Sequence, residues 1–260
     1  MKKNSVLWRV ENSKRIGSYV FGTMHVRDEH AFKHLDKALK AMSYCSHFRT
    51  EIDLDDARGS EIQQHYLLPG EVRLSDLINP RKFDKMCRIL RKAFKVDLHA
   101  LDRYKPVMTL NILSESLLNE SHSLPLDHHL WNEAISRSMH TGGIETVERQ
   151  IGILNSLPLK PQIRMLKDLC RNPAKFKKGI QKIKNLYVKE DIQGIFRMSK
   201  KSMGEFRKLM IYQRNADMAN CISEYSNEPC MYAIGAAHLG GQKGVISYLK
   251  KKGFKVQAIH

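Results

Sequence analysis

Two Gly-x-x-His units stand near opposite ends of the chain, Gly22-Thr-Met-His25 and Gly235-Ala-Ala-His238. Each follows an apolar run directly, so each His is expected to project from the carboxyl edge of a sheet, with the Gly letting the strand turn tightly. Neutral imidazoles ligate divalent transition metals, and open hydrolytic sites join such ligands to a carboxylate and a water. Glu51 closes the run that starts at Ser46 and is the natural carboxylate; Asp53 lies two residues on and faces the same side. Arg214, in Tyr212-Gln-Arg-Asn215, is suited to fixing a substrate carboxylate or stabilising a developing oxyanion. Plainer readings stand beside these. A single Gly-x-x-His is common by chance, an acid at a strand end is often solvated or capping, and Arg214 lies in a basic helix. Pairing within matching halves gives the two units their weight.

Those halves follow from hydropathy. Residues 6–11 and 18–22 predict two strands around a polar turn, rich in aromatic and β-branched side chains. Ala31, Phe32, Leu35, Ala38, Leu39 and Met42 recur at helical spacing, and 46–54 predicts a short strand ending in acids. Near the other end, 216–225 predicts a helix, 230–235 a buried strand, 244–252 a helix and 254–259 a last strand. Each end thus reads strand, Gly-x-x-His, helix, strand. Between them the period is almost entirely helical, over 80–94, 106–118, 125–139, 146–154, 161–170, 176–188 and 191–210, with prolines where helices begin. The expected class is α/β (or α+β): a mixed sheet built from both termini as two pseudo-repeated halves, with a large central helical insertion or cap. The expected organisation is a single domain over 1–260, with 1–55 and 215–260 as sheet core and 56–214 as a mainly helical cap.

Composition sets the bounds. A 260-residue chain that is 42% hydrophobic and 27% charged, with 15 Gly and 8 Pro, is an ordinary folded protein rather than a collagenous or disordered one. No apolar stretch reaches the roughly 18 to 20 residues of a spanning helix. The five cysteines are widely spaced, without a Cys-x-x-Cys pair, and point to neither a disulfide framework nor a zinc knuckle. The start reaches Arg9 and Glu11 before an apolar region of signal length accumulates, so a cytoplasmic location is expected unless a leader has been removed. There is no His-Glu-x-x-His or Gly-x-Ser-x-Gly, and the glycine-rich 235–244 lacks the Gly-Lys-[Ser/Thr] of a phosphate-binding loop.

The net charge of +17 is regional: Lys160 to Met210 holds much of the excess of Lys and Arg. This stretch could meet nucleic acid or an acidic partner, or it could be a solvated helical face whose stems cover apolar surface. It has few aromatics and no nucleic-acid-binding signature, which favours the solvated face. His30 and His34 read as one solvated helix face, His128 and His129 as surface or cap packing, and Asp28 as a helix cap.

Leu7-Trp-Arg-Val-Glu11, Gly17-Ser-Tyr-Val-Phe-Gly-Thr-Met-His25, Glu51-Ile-Asp-Leu54, Ile144-Glu-Thr-Val-Glu-Arg-Gln150, Arg214-Asn215 and Ala233-Ile-Gly-Ala-Ala-His-Leu-Gly240 together resemble the TraB/GumN family, in order and over nearly the whole chain. That family is similar to the Tiki metalloproteases and, more distantly, to erythromycin esterases and ChaN-like haem-binding proteins. The resemblance implies a two-His site of His25 and His238, with Glu51 and Arg214 beside it and Glu145 reaching in from the helical part. For the Tiki branch it implies peptide hydrolysis supported by Mn²⁺ or Co²⁺. The expectation is a metal-dependent hydrolase of a peptide or a small amide or ester, using Mn²⁺, Co²⁺ or Zn²⁺. His25, His238 and Glu51 would hold the metal, and Glu51, Arg214 and Glu145 would serve catalysis. Two alternatives remain: a haem- or metal-binding module without turnover, and a nucleic-acid-associated regulator acting through the basic helices.

Overall fold

The computed structural model describes residues 4–58 and 60–260; Met1, Lys2 and Lys3, part of the start read above for a leader, lie outside them. One sheet holds six strands, β1 (Leu7–Glu11), β2 (Gly17–Thr23), β3 (His47–Thr50), β4 (His140–Gly143), β5 (Cys230–Gly235) and β6 (Lys255–Ile259), in the spatial order β4-β3-β5-β2-β1-β6. β2, β5, β3 and β4 run parallel, and β1 is antiparallel to both β2 and β6.

Burial explains this order. All six residues of β5 are buried, as a parallel strand covered on both faces requires, whereas β6 at the edge alternates exposed Lys255 and Gln257 with half-buried residues. Val20, Phe21, Phe48, Met231 and Tyr232 are fully buried, and burial of each large apolar side chain contributes about 1.5–3 kcal/mol. Trp131, on the helix Leu126–Ser136, meets Phe48 edge-on at 6.3 Å between ring centroids. The two matching halves each form a parallel crossover. The helix Leu35–Met42 lies in sequence between β2 and β3, which flank β5, and the helix Val245–Lys251 lies between β5 and β6, which are separated by β2 and β1.

Interleaving the halves brings the carboxyl ends of four parallel strands to one edge of the sheet. His25 follows β2 by two residues, Glu51 follows β3 directly, Glu145 follows β4 by two and His238 follows β5 by three. Ligands of open α/β sheets bind at this edge, where the strand order reverses.

Three local expectations change. The sheet takes a strand from the centre of the chain as well as from both termini: His140-Thr-Gly-Gly143 has no run of apolar or β-branched residues, and its pairing with β3 makes it a strand. The helix expected over 191–210 stops at Met203, because Gly204 has φ +51°; a 3₁₀ turn and a π-helical turn, Lys208–Gln213, follow. The glycines of the Gly-x-x-His units do not make left-handed turns. Gly22 lies within β2, and Gly235 has φ −54° and ψ 132°, so close approach rather than turning requires them.

Chain contacts divide the molecule into two compact units, the first taking the stretches up to Ala57, Glu120–Gln150 and Ile183–His260. It contains the whole sheet. The second, Arg58–Asn119 and Ile151–Lys182, has its own core, in which Phe83, Leu90 and Phe94 of the helix Pro80–Phe94 cluster with Leu113 and Leu166. No helix among the described residues is long and apolar enough to cross a membrane. The basic stretch is not uniformly a solvated face. Lys184 is buried 3.5 Å from Asp28, and Arg207 is buried with its guanidinium 4.4 Å above the Phe196 ring, whereas Lys160, Lys175, Lys177 and Lys178 are exposed. The side chains of 200–202 lie outside the described residues.

Candidate functional site

Glu51 is the centre of the arrangement at the sheet edge. Its Oε1 accepts the backbone N–H of Gly235 at 2.7 Å and stands 3.6 Å from His25 Nε2 and 3.7 Å from His238 Nε2. Both separations are too long for hydrogen bonds. Two ligands each about 2.1 Å from a metal ion at a tetrahedral angle stand roughly 3.4 Å apart. Each imidazole nitrogen thus stands from Glu51 Oε1 at nearly the spacing of two ligands on one cation, although among the described residues no group of three or more His, Cys, Asp or Glu side chains is arranged to hold a metal ion. A Cβ on Gly235 would lie 3.1 Å from Glu51 Oε1 and 3.5 Å from His25 Nε2, so the absent side chain keeps this point open.

Each imidazole is held from behind by its other nitrogen. His238 Nδ1 lies 2.6 Å from Asn215 Oδ1, while Asn215 Nδ2 donates to the Lys243 carbonyl at 2.6 Å. A carbonyl only accepts, so the amide is fixed with its oxygen toward His238; Nδ1 must donate, and in the neutral ring Nε2 keeps its lone pair. Burial pushes His238 down to about 4, which keeps that ring neutral. His25 Nδ1 lies 2.7 Å from Asp127 Oδ2. Asp127 is buried, and burial alone would raise its carboxyl, but the His25 charge outweighs this and holds it below the usual range. The Asp127 carboxylate in turn pushes His25 well above the usual imidazole range. The rings also differ in access: the His25 side chain is 50% exposed and that of His238 only 6%.

Arg214 ties the acids together. Its Nε donates to Glu145 Oε2 at 2.8 Å, and its Nη2 donates to Glu145 Oε2 at 2.6 Å and to Glu51 Oε2 at 2.5 Å. Burial would raise the Glu51 carboxyl, but Arg214 overcomes this and holds it well below the carboxylate range. Glu145 also accepts from Gln150 at 3.3 Å and lies 3.5 Å from Arg149 Nε. The π-helical turn directly before Arg214 precedes two consecutive buried residues, Arg214 and Asn215, which serve different partners; such turns often mark functional sites.

Of the residues singled out from sequence, His25, His238, Glu51, Arg214 and Glu145 are brought into one connected cluster. Asp53 is not: its Oδ1 accepts the backbone N–H groups of Asp55 and Asp56. His30 bonds to Asp28 and His34 to the Tyr187 carbonyl, so these two do not share a site. Asp127 was missed. Its signal is an acid at the head of an apolar stripe, Asp127, Leu130, Trp131 and Ala134, all buried at helical spacing. Asn215 heads the stripe Met218, Ala219 and Ile222 in the same way.

The model of the TraB/PrgY/gumN family matches residues 6–258. Among curated relatives, a protein named metalloprotease TIKI homolog from Amphimedon queenslandica is 24% identical, covering 99% of this chain and 62% of that protein. Metalloprotease TIKI2 of Danio rerio is 23% identical over 98% of this chain and 61% of its own length, and metalloprotease TIKI1 of Homo sapiens 24% identical over 98% and 62%. The chain thus spans about three fifths of the length of these relatives. No solved structure matches it. The family match covers β1 to β5, all of β6 but its last residue, and every residue of the cluster at the sheet edge: the chain belongs to the TraB/PrgY/gumN family.

Proposed function

We propose that the chain is a metal-dependent hydrolase of peptide or related amide bonds, with His25, His238 and Glu51 holding one divalent cation, Mn²⁺, Co²⁺ or Zn²⁺. The observation that carries this reading is the convergence of two imidazole Nε2 atoms on one oxygen of Glu51, 3.6 and 3.7 Å away, around a point kept open by Gly235. The names of the metalloprotease relatives support it. A cation bound there supplies Lewis acidity toward a carbonyl oxygen and acidifies water.

The chain's own residues do the rest. Asn215 holds the His238 ring with its Nε2 toward Glu51. Arg214 keeps Glu51 anionic and fixed, and since its Nε and Nη2 are engaged by carboxylates while Nη1 has no hydrogen bond among the described residues, Nη1 is the donor for a substrate oxygen. Glu145 acts through Arg214. The half-exposed His25 marks the side from which a substrate enters.

The test is a peptide-library cleavage screen on protein stripped with chelator and then supplied with Mn²⁺, Co²⁺ or Zn²⁺ singly. Cleavage restored by at least one metal and absent in His25→Ala and His238→Ala is expected. Cleavage that survives metal removal, or none with any metal, contradicts the reading.

A further inference from the structure

The two imidazoles are held by equivalent positions of two different helices. Asp127 is the second residue of Leu126–Ser136, and Asn215 is the second residue of Arg214–Glu224. Each heads a buried apolar stripe, and each places an oxygen 2.6–2.7 Å from an Nδ1. The chemistry differs at one point: behind His238 stands a neutral amide, behind His25 a carboxylate. The other Asp127 oxygen, Oδ1, is buried without a hydrogen-bond partner among the described residues. A buried carboxylate whose side-chain hydrogen bond, among the described residues, goes to one ring is costly to keep for packing.

We propose that Asp127 is the positioning residue of His25: by accepting from Nδ1 it fixes the ring in the Nδ1–H tautomer and turns the Nε2 lone pair toward Glu51. It also makes the two rings unequal, one backed by an anion at the exposed side, one by an amide in the interior. The tautomer follows from geometry alone; its purpose, to present a metal donor, rests on the proposed function. An imidazole whose outer nitrogen donates to a carboxylate is a stronger donor at the inner one, and loss of such partners commonly weakens metal binding about 10–100-fold. Asn215 already shows that an amide can hold the tautomer. What Asp127 adds is charge, at the ring that solvent reaches.

The experiment reads ring tautomers directly, by long-range ¹H–¹⁵N NMR of the metal-free full chain at a pH where the rings are neutral. In the wild type both His25 and His238 should be Nδ1–H. Asp127→Ala should move His25 alone to the Nε2–H form that free histidine favours, and Asn215→Ala should move His238 alone. Asp127→Asn, which keeps an acceptor oxygen and the volume, should keep the tautomer. Titration with Co²⁺ should then order the proteins wild type, Asp127→Asn, Asp127→Ala, with the last weaker by about 10–100-fold.

A wild-type His25 found as Nε2–H overturns the inference without any variant, even where Asp127→Ala does not fold. So does an unchanged His25 in folded Asp127→Ala. Should wild type show the expected tautomers yet bind no Co²⁺, the proposed function fails while the positioning of His25 by Asp127 stands.

Discussion

The Gly235 backbone N–H donates to Glu51 Oε1 at 2.7 Å, and a Cβ on Gly235 would lie 3.1 Å from that same oxygen. The residue both orients the carboxylate and leaves the room in front of it. Its φ of −54° and ψ of 132° suit alanine, so Gly235→Ala should change folding stability by less than about 1 kcal/mol while weakening Co²⁺ binding more than about tenfold. Gly22→Ala should do the reverse. There a Cβ would meet Leu239 Cδ1 at 2.7 Å and Ala236 Cα at 3.1 Å, an overpacking that costs about 1–3 kcal/mol. Urea denaturation and metal titration of the two variants separate these outcomes; a Gly235→Ala protein that binds Co²⁺ as the wild type does would remove the site from this point.

Arg214 is part of the folded state as well as of the site. It is buried between Glu51 and Glu145, so Arg214→Met leaves two carboxylates without their cation and should destabilise by about 3–5 kcal/mol. Arg214→Lys keeps the charge but lacks the planar fork, and should lose less stability than Arg214→Met. Chemical denaturation of both checks the order. Equal stability of all three proteins would show that the acids do not need this cation.

Acid should remove one contribution at the start of β1, which lies beside the carboxyl end of β2. Glu190 Oε2 accepts from Ser5 Oγ at 2.8 Å, from the Val6 N–H at 2.9 Å and from Lys37. Burial alone would raise this carboxyl, but Lys37 and the bonds from Val6 and Ser5 hold it below the usual range. A carboxyl depressed on folding stabilises fully above its unfolded pKa of about 4.3, and this is lost as pH falls through the folded value. The gap in urea midpoint between wild type and Glu190→Gln should therefore be wide at neutral pH and close below about pH 4. A gap independent of pH would contradict the assignment.

The sequence made the matching ends legible because hydropathy is local: 230–235 had to be buried on both faces, and the two Gly-x-x-His units had to end strands. It did not show β4, whose strand character comes from pairing with β3 rather than from His140-Thr-Gly-Gly143 itself. Glu51, His25 and His238 could be singled out, but what holds them could not. Asp127 is over one hundred residues from His25, and only the apolar stripe that it heads betrays that it faces inward. Arg214 was legible as a cation near the site, not as one bridging two acids.

The central claim is that His25, His238 and Glu51 hold one cation, and calorimetric titration of Co²⁺ into wild type, His25→Ala, His238→Ala and the double variant at one neutral pH tests it most directly. One ion per chain in the wild type is predicted, with binding lost in either single variant and the double variant scarcely worse, because ligands of one metal act as a unit. Binding in both single variants at wild-type affinity and stoichiometry would contradict it.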